Sequence, residues 1–380
     1  MLLDFNANKG LIFIAIITII AVVVLTFWRQ MWSELRRSAR EEYDAALANA
    51  DLNKRGIIVW LMRAYLPNVK AGAEITAHAV NKYLVSRGWR VIVVVHDYQV
   101  PVIDGVECVA FGQHQTVLGQ ATLFFCQNYD TRAALQLLEP YGRPVVFFLH
   151  IDKEKQDILQ TRFAVPIGVV YNSLTQKEVN PTVHPNTIVR PFIPFELFKP
   201  RARAQQAGPI TLLNCNENKG GKVLQRLAAA MRDVPFMGVA GAYSEQLTSG
   251  ATPNLHYKPL QDDPRPIYEE AGIVIMPSRS ESWGRVALEA MASGIPVIVS
   301  RAPGLRECTA GAAVAYCQPD DLGCWSEAIR RLRSDGMAYR EAVAAGLRRI
   351  EELKKADDFA EFEDWLVRQI AGWIPNPQIN

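Results

Sequence analysis

Little in this chain marks it for nucleic acid, metal or oxidised secretion. Its 41 Lys and Arg stand against 39 Asp and Glu. It therefore lacks the basic excess that a nucleic-acid surface carries. The cysteines at 108, 126, 215, 308, 317 and 324 are scattered, and no two form a C-x-x-C pair. That pattern suggests reduced structural thiols in a reducing compartment. No zinc spacing appears among the Cys and His residues. The stretch GVAGAY at 238–243 lacks the full G-x-G-x-x-G of a dinucleotide loop. There is no internal repeat beyond two α/β halves, and no low-complexity segment.

Charge is missing altogether from residues 10–28. Within 11–28, 13 of 18 residues are Leu, Ile, Val or Phe. These contribute roughly −4 to −8 kcal/mol to membrane insertion. As a helix the segment is about 27 Å long, close to a ~30 Å hydrocarbon core. A cleaved signal peptide would want a basic start and a small-residue cleavage site. Here only Lys9 precedes the run, and Thr26-Phe27-Trp28-Arg29-Gln30 is a poor site. The segment reads as an uncleaved single-pass anchor. Arg29, Arg36, Arg37 and Arg40 follow it. This asymmetry predicts the amino terminus outside and the remaining chain in the cytoplasm. Residues 29–54 read as a juxtamembrane helix or linker, with Met31, Leu35, Ala39, Tyr43 and Leu47 at roughly helical spacing.

A chain of 380 residues exceeds one typical core, so two domains are expected. The most informative stretch is IVIMPSRSESWGRVALEAMASGIPVIV at 273–299. An apolar strand over 273–276, a loop, a helix over 285–292 and a second strand make a βαβ unit. Its ligand-facing edge is the carboxyl end of the first strand. Glu281 and Glu289 lie eight residues apart across that edge. Glu289 sits in a helix that is apolar nearly all round, and a buried carboxylate is costly without a partner. The partner is either an arginine such as Arg301 or a ligand.

The stretch from Pro277 through Glu281, Gly284, Glu289, Gly294 and Pro296 resembles the E-x7-E signature of retaining family-4 glycosyltransferases of the GT-B fold. The resemblance extends more weakly from about Gly56 to Trp373. It implies an α/β fold of GT-B architecture: two Rossmann-like domains facing a cleft, preceded by one transmembrane helix. The expected organisation is an anchor at 10–28, a linker at 29–54, an acceptor domain at 55–195 and a donor domain at 196–358. A helix in 359–380 would cross back to the first domain.

The resemblance also implies roles. Glu289 would accept the ribose hydroxyls of a nucleotide-sugar donor, and Glu281 would hold its sugar. Lys219 and Gly220 would meet the diphosphate, with backbone N–H groups near Gly72, Ser282, Trp283 and Gly284. His150, at the end of an expected strand over 145–149, would face the transferred sugar. Residues 255–259, with Tyr257 and Pro259, fall where relatives hold the base. In Pro303-Gly304-Leu305-Arg306-Glu307 the family's Gly-Gly-x-Pro-Glu loop keeps its Glu but loses its Pro. The family's arginine five residues before the lysine is Asn214 here. No cofactor and no metal are expected, and Asp262-Asp263 reads as a solvated loop.

The implied activity is sugar transfer from a nucleotide sugar, with retention, to an acceptor that is lipid-linked, glycan or protein. The partners are thus the donor, that acceptor and the membrane, without nucleic acid. Two other readings stay open: a nucleotide-sugar epimerase-like enzyme, and a non-catalytic membrane adaptor on the same fold.

Overall fold

A computed structural model describes residues 55–373, apart from 128–129, 151–158, 201–204, 243 and 251. The anchor expected at 10–28, the linker at 29–54 and the tail after 373 lie outside the described residues. Among the described residues no helix is long and apolar enough to cross a membrane.

Runs of Val, Ile and Phe make the strands, because branched and aromatic side chains fit a pleated surface. The first sheet contains β1 (Ile57–Met62), β2 (Arg90–Val95), β3 (Val102–Ile103), β4 (Val106–Ala110), β5 (Leu123–Gln127), β6 (Val145–Leu149), β7 (Ile167–Tyr171) and β8 (Asn186–Ile188). Its order is β3-β4-β2-β1-β5-β6-β7-β8. Only the β3–β4 pairing is antiparallel. Helices α1 (Gly72–Ser86), α2 (Thr131–Leu138) and α3 (Leu174–Val179) lie in its connections.

The second sheet contains β9 (Ile210–Leu213), β10 (Phe236–Val239), β11 (Leu255–Lys258), β12 (Ile273–Met276), β13 (Val297–Ser300) and β14 (Tyr316–Cys317). All are parallel, in the order β11-β10-β9-β12-β13-β14. Its helices are α4 (Gly221–Ala230), α5 (Arg265–Glu270), α6 (Arg285–Ala292), α7 (Pro303–Thr309), α8 (Leu322–Ser334) and α9 (Gly336–Leu353). The strand order reverses between β1 and β5 in one sheet and between β9 and β12 in the other. Open parallel sheets hold ligands at such reversals, outside the carboxyl ends of the strands.

A last helix, α10 (Asp358–Trp373), follows the second sheet in sequence but packs on the first. Phe362, Trp365, Leu366 and Ile370 share a core with Trp60, Phe125 and Phe148. Gly168 on β7 leaves room for the rings of Trp365 and Trp373; a Cβ there would lie 2.9 Å and 2.8 Å from them. The helix also brings a buried carboxylate, Glu363. Arg55 and Arg87 donate to it at 2.7 Å and 2.8 Å. Tyr83 Oη and Trp89 Nε1 donate at 3.2 Å and 3.3 Å. A buried charge is tolerated because its oxygens are fully partnered.

Two expectations need correction. Residues 303–309 are a helix rather than a loop, since Pro303 at its start pre-sets helical φ and lacks only an N–H that would have no partner there. Nor are all six cysteines free: Cys317 and Cys324 form a disulfide, with Cα atoms 5.7 Å apart. Cys317 ends β14, and Asp321 caps α8 by accepting from Cys324 N, so the short turn brings the two residues together. Cys108, Cys126, Cys215 and Cys308 are free and buried.

Candidate active site

The loops after β9 and β12 flank the reversal of the second sheet, and backbone contacts stitch them together. Arg279 N donates to Asn218 O at 2.8 Å, and Asn218 Nδ2 to Ser280 O at 3.3 Å. Gly220 turns left-handed (φ +98°) against Pro277, where a Cβ would lie 2.3 Å from the ring. This close approach brings Lys219 to Glu281: Nζ and Oε2 are 2.5 Å apart, with both side chains largely buried. Two residues that sequence alone assigned separately, one to diphosphate and one to sugar, are thus paired.

Gly284 (φ +104°) opens α6, and a Cβ there would meet Leu305 at 2.5 Å. Glu289, one helical stretch on, is 6% exposed. Its Oε1 accepts from Arg285 Nη2 at 3.1 Å and its Oε2 from Tyr268 Oη at 2.8 Å. Burial and then the neighbouring Glu289 charge push the Tyr268 hydroxyl well above its usual pKa, so it stays a donor. Arg301, the partner expected from sequence, instead donates to Tyr316 O at 2.9 Å. Arg285 Nε also donates to Oε1, at 3.4 Å, so it is Oε2 that keeps a lone pair for a further hydroxyl.

Asn214 adopts a left-handed conformation (φ +71°). Its Oδ1 accepts from Gln246 Nε2 at 3.1 Å and from Asn216 N at 3.4 Å. The position is a loop brace and carries no cation. Arg285 is the guanidinium that reaches the cleft. Its Nη1 lies 3.5 Å from Gly72 O at the start of α1, and a Cβ on Gly72 would meet its Cδ at 3.0 Å.

Across the cleft, His150 follows β6, and its ring bonds the Gln127 side chain that ends β5. Nε2 and Oε1 are 2.8 Å apart. Burial lowers the imidazole pKa to about 4, which leaves it neutral at pH 7.

Besides Arg285 and Gly72, further contacts among the described residues hold the halves against each other. Asn172 Nδ2 donates to Ser282 Oγ at 2.8 Å. Lys70 pairs with Asp262 at 3.3 Å. Glu307 of α7 accepts from Leu174 N and Thr175 N at 2.8 Å and 2.7 Å. These are the first free donors of α3, where the helix dipole favours an anion.

The structure thus gathers Lys219, Gly220, Glu281, Ser282, Gly284 and Glu289 around one reversal, with Gly72 facing them. The residues expected near the base, Tyr257 and Pro259, lie on β11 and just after its end. Tyr257 lies on the outermost strand of the sheet, against Gly238, and its Oη accepts from Gln225 Nε2 at 3.2 Å. The Trp283 indole turns into the core, leaving only its backbone to the loop. Arg285, Tyr268 and Gln127 were not legible as site residues. For Arg285 the i,i+4 spacing to Glu289 was the available signal. Among the described residues there is no group of three or more His, Cys, Asp or Glu side chains that could hold a metal ion.

Residues 214–335 match the family model described as glycosyl transferases group 1. A D-inositol 3-phosphate glycosyltransferase of Corynebacterium urealyticum is 43% identical over 70 residues, covering 18% of this chain and 16% of the relative. One from a Mycobacterium species is 31% identical over 140 residues, covering 33% of this chain and 32% of the relative. The chain therefore spans about a third or less of the length of these relatives. Among solved structures, a sucrose-phosphate synthase of Thermosynechococcus elongatus superposes with TM-score 0.66 at 18% identity, covering 83% of this chain and 99% of that one. The Anabaena protein HepE in complex with UDP-glucose gives TM-score 0.64 at 18% identity, covering 82% and 100%. These likenesses establish the two-domain α/β architecture of the GT-B fold.

Proposed function

We propose that this chain is a membrane-anchored glycosyltransferase that moves a sugar from a nucleoside diphosphate to a hydroxyl acceptor, with retention of anomeric configuration. The observation that carries this reading is the Lys219–Glu281 pair at the second-sheet reversal, with Glu289 beyond it and Gly72 opposite. A UDP-glucose complex of a protein with the same fold supports the donor class.

Glu289 accepts the ribose hydroxyls while Arg285 and Tyr268 hold it in place. Glu281 takes sugar hydroxyls. Lys219, Arg285 and the backbone N–H groups of Gly72 and Gly284 stabilise charge on the departing diphosphate. The anomeric C–O bond breaks with its electron pair going to the phosphate oxygen. The acceptor hydroxyl attacks from the same face, and its proton passes to that oxygen. Neutral His150 lines the sugar side. With the positive charge supplied by these groups, a chelator is expected to leave transfer unchanged.

The test is calorimetric binding of nucleoside diphosphates, followed by transfer from the corresponding nucleotide sugars to lipid, glycan and protein acceptors. Binding without turnover would favour an adaptor, and sugar interconversion without an acceptor would favour an epimerase. Failure of every diphosphate to bind would overturn the donor-site reading.

The proposed orientation, amino terminus outside and both sheets in the cytoplasm, rests on the arginines after residue 28. The Cys317–Cys324 disulfide is the observation that weighs against a reducing compartment.

A further inference from the structure

Gln127 closes β5, an otherwise apolar strand of sequence LFFCQ. It pairs in register with Met62 on β1 and Phe148 on β6. It therefore stands at the carboxyl edge of the first sheet, beside the reversal between β1 and β5. Side chains alternate along a strand. Gln127 thus continues the face of Phe125, and His150 that of Phe148. Phe125 and Phe148 share a core with Ala77 and Val80 of α1 and with Phe362 of α10. Packing on that face asks for an apolar side chain at 127.

Instead the position carries an amide that is 1% exposed. One end meets the His150 ring, with Oε1 2.8 Å from Nε2. The other end, Nε2, is buried and has no hydrogen-bond partner among the described residues. Turning the amide over exchanges its ends, and one of them still lacks a partner. A buried polar group without a partner lowers stability, and an apolar residue of similar size avoids that loss. What the amide provides is the bond to His150, which is partly buried at the same sheet edge. A carboxylate could also make this bond, but its charge would favour the protonated ring. The amide holds the ring without adding charge.

We propose that Gln127 is a positioning residue for sugar transfer: its amide fixes the plane and the tautomer of the His150 ring, which meets the transferred sugar. Gln127 acts through that ring and touches neither donor nor acceptor. The inference rests on the reading of this chain as a glycosyltransferase with His150 at the sugar.

Gln127→Met, made in the full chain, removes the bond and the unpartnered amide end together. Turnover is followed with UDP-glucose, or with whichever nucleotide sugar the transfer screen identifies. It should fall roughly tenfold or more, with nucleoside diphosphate affinity held within about twofold. The melting temperature should hold or rise. In a His150→Ala background the same change should lower turnover no further, because both changes remove one interaction. Long-range ¹H–¹⁵N spectra of the histidines give a readout apart from activity. The His150 ring, identified by its loss in His150→Ala, should show one tautomer in the wild type and a mixture in Gln127→Met. If Gln127→Met does not fold, Gln127→Asn, whose amide is one methylene too short, is read for turnover and tautomer instead. A purely structural Gln127 would show melting temperature and turnover falling together in Gln127→Met, equally in both backgrounds. That result overturns the proposal, as does an unchanged tautomer. Absence of transfer by the wild type would instead overturn the glycosyltransferase reading, and the ring spectra would still decide whether Gln127 fixes His150.

Discussion

Lys219 Nζ and Glu281 Oε2 are 2.5 Å apart across two loops of the same sheet. Each therefore neutralises the other while the cleft holds no donor, and a bound donor must share both. Glu281→Gln frees the ammonium. Bare nucleoside diphosphate should then bind as tightly as before or a few-fold tighter, while turnover falls at least tenfold. Calorimetric titration beside a transfer assay reads both. Weaker binding of the bare diphosphate would mean that Glu281 positions Lys219 rather than competing for it.

Glu289→Gln tests the neighbouring carboxylate, whose chain partners are Arg285 and Tyr268. Hydrogen bonds to a charged group are worth about 1.5–3 kcal/mol. Nucleotide affinity should fall roughly ten- to a hundredfold by that measure, equally for diphosphate and full donor, because the ribose is common to both. The melting temperature should fall too, since Arg285 loses a charged acceptor. A lower melting temperature with undiminished nucleotide affinity would make Glu289 purely structural.

Glu307 bridges the halves by accepting two backbone N–H groups of α3. Glu307→Ala should remove about 1–3 kcal/mol of contact between them. Small-angle scattering should report a larger radius of gyration, with secondary structure retained. An unchanged scattering profile would show that the remaining contacts suffice.

Burial holds His150 at a pKa of about 4, against an ordinary 6.5. Between those values the unfolded chain carries a proton that the folded chain does not. Stability from this residue is therefore present above pH 6.5 and lost as pH falls towards 4, by up to ~1.4 kcal/mol per pH unit. Urea unfolding at pH 7, 6 and 5 should show a smaller loss in His150→Gln than in the wild type. Parallel curves would count against the shift.

The thiol inventory is measurable without a structure. Denatured without reductant, the chain should show four thiols, those of Cys108, Cys126, Cys215 and Cys308. In the native state these should react slowly, since all are buried. For the same reason they cannot report orientation in a membrane. A cysteine placed at Met337, which is 64% exposed, can. An impermeant thiol reagent on intact cells should miss Met337→Cys if the cytoplasmic orientation holds.

The parts of the fold that could be read from sequence were those set by short-range pattern. β1, β2, β6, β7, β12 and α6 fall at the expected residues because each is a run of apolar residues closed by Pro, Gly or a polar cap. The short strand β3, at the sheet edge, and its neighbour β4 carry weaker patterns, and neither is buried along its whole length. Pairings were harder. The sequence separates Lys219 from Glu281 by 62 positions, and only the strand order brings them together. Glu289 was readable as a buried carboxylate, but its environment includes Tyr268 from another helix. The direction of the Trp283 indole depends on packing under α6, which no local signal encodes.

The crossing of α10 has a consequence for anyone who recombines this protein with others. One compact unit is assembled from the two ends of the described chain, and the other is inserted into it. Glu363 and the ring of Trp365 are as much a part of the first sheet's interior as Trp60. A chimera spliced only at residues 191–195 would pair that sheet with a foreign closing helix. It would have to match four donors to Glu363 and the ring space above Gly168. Exchanging the inserted unit between two splice points, one on each side, leaves that fit intact.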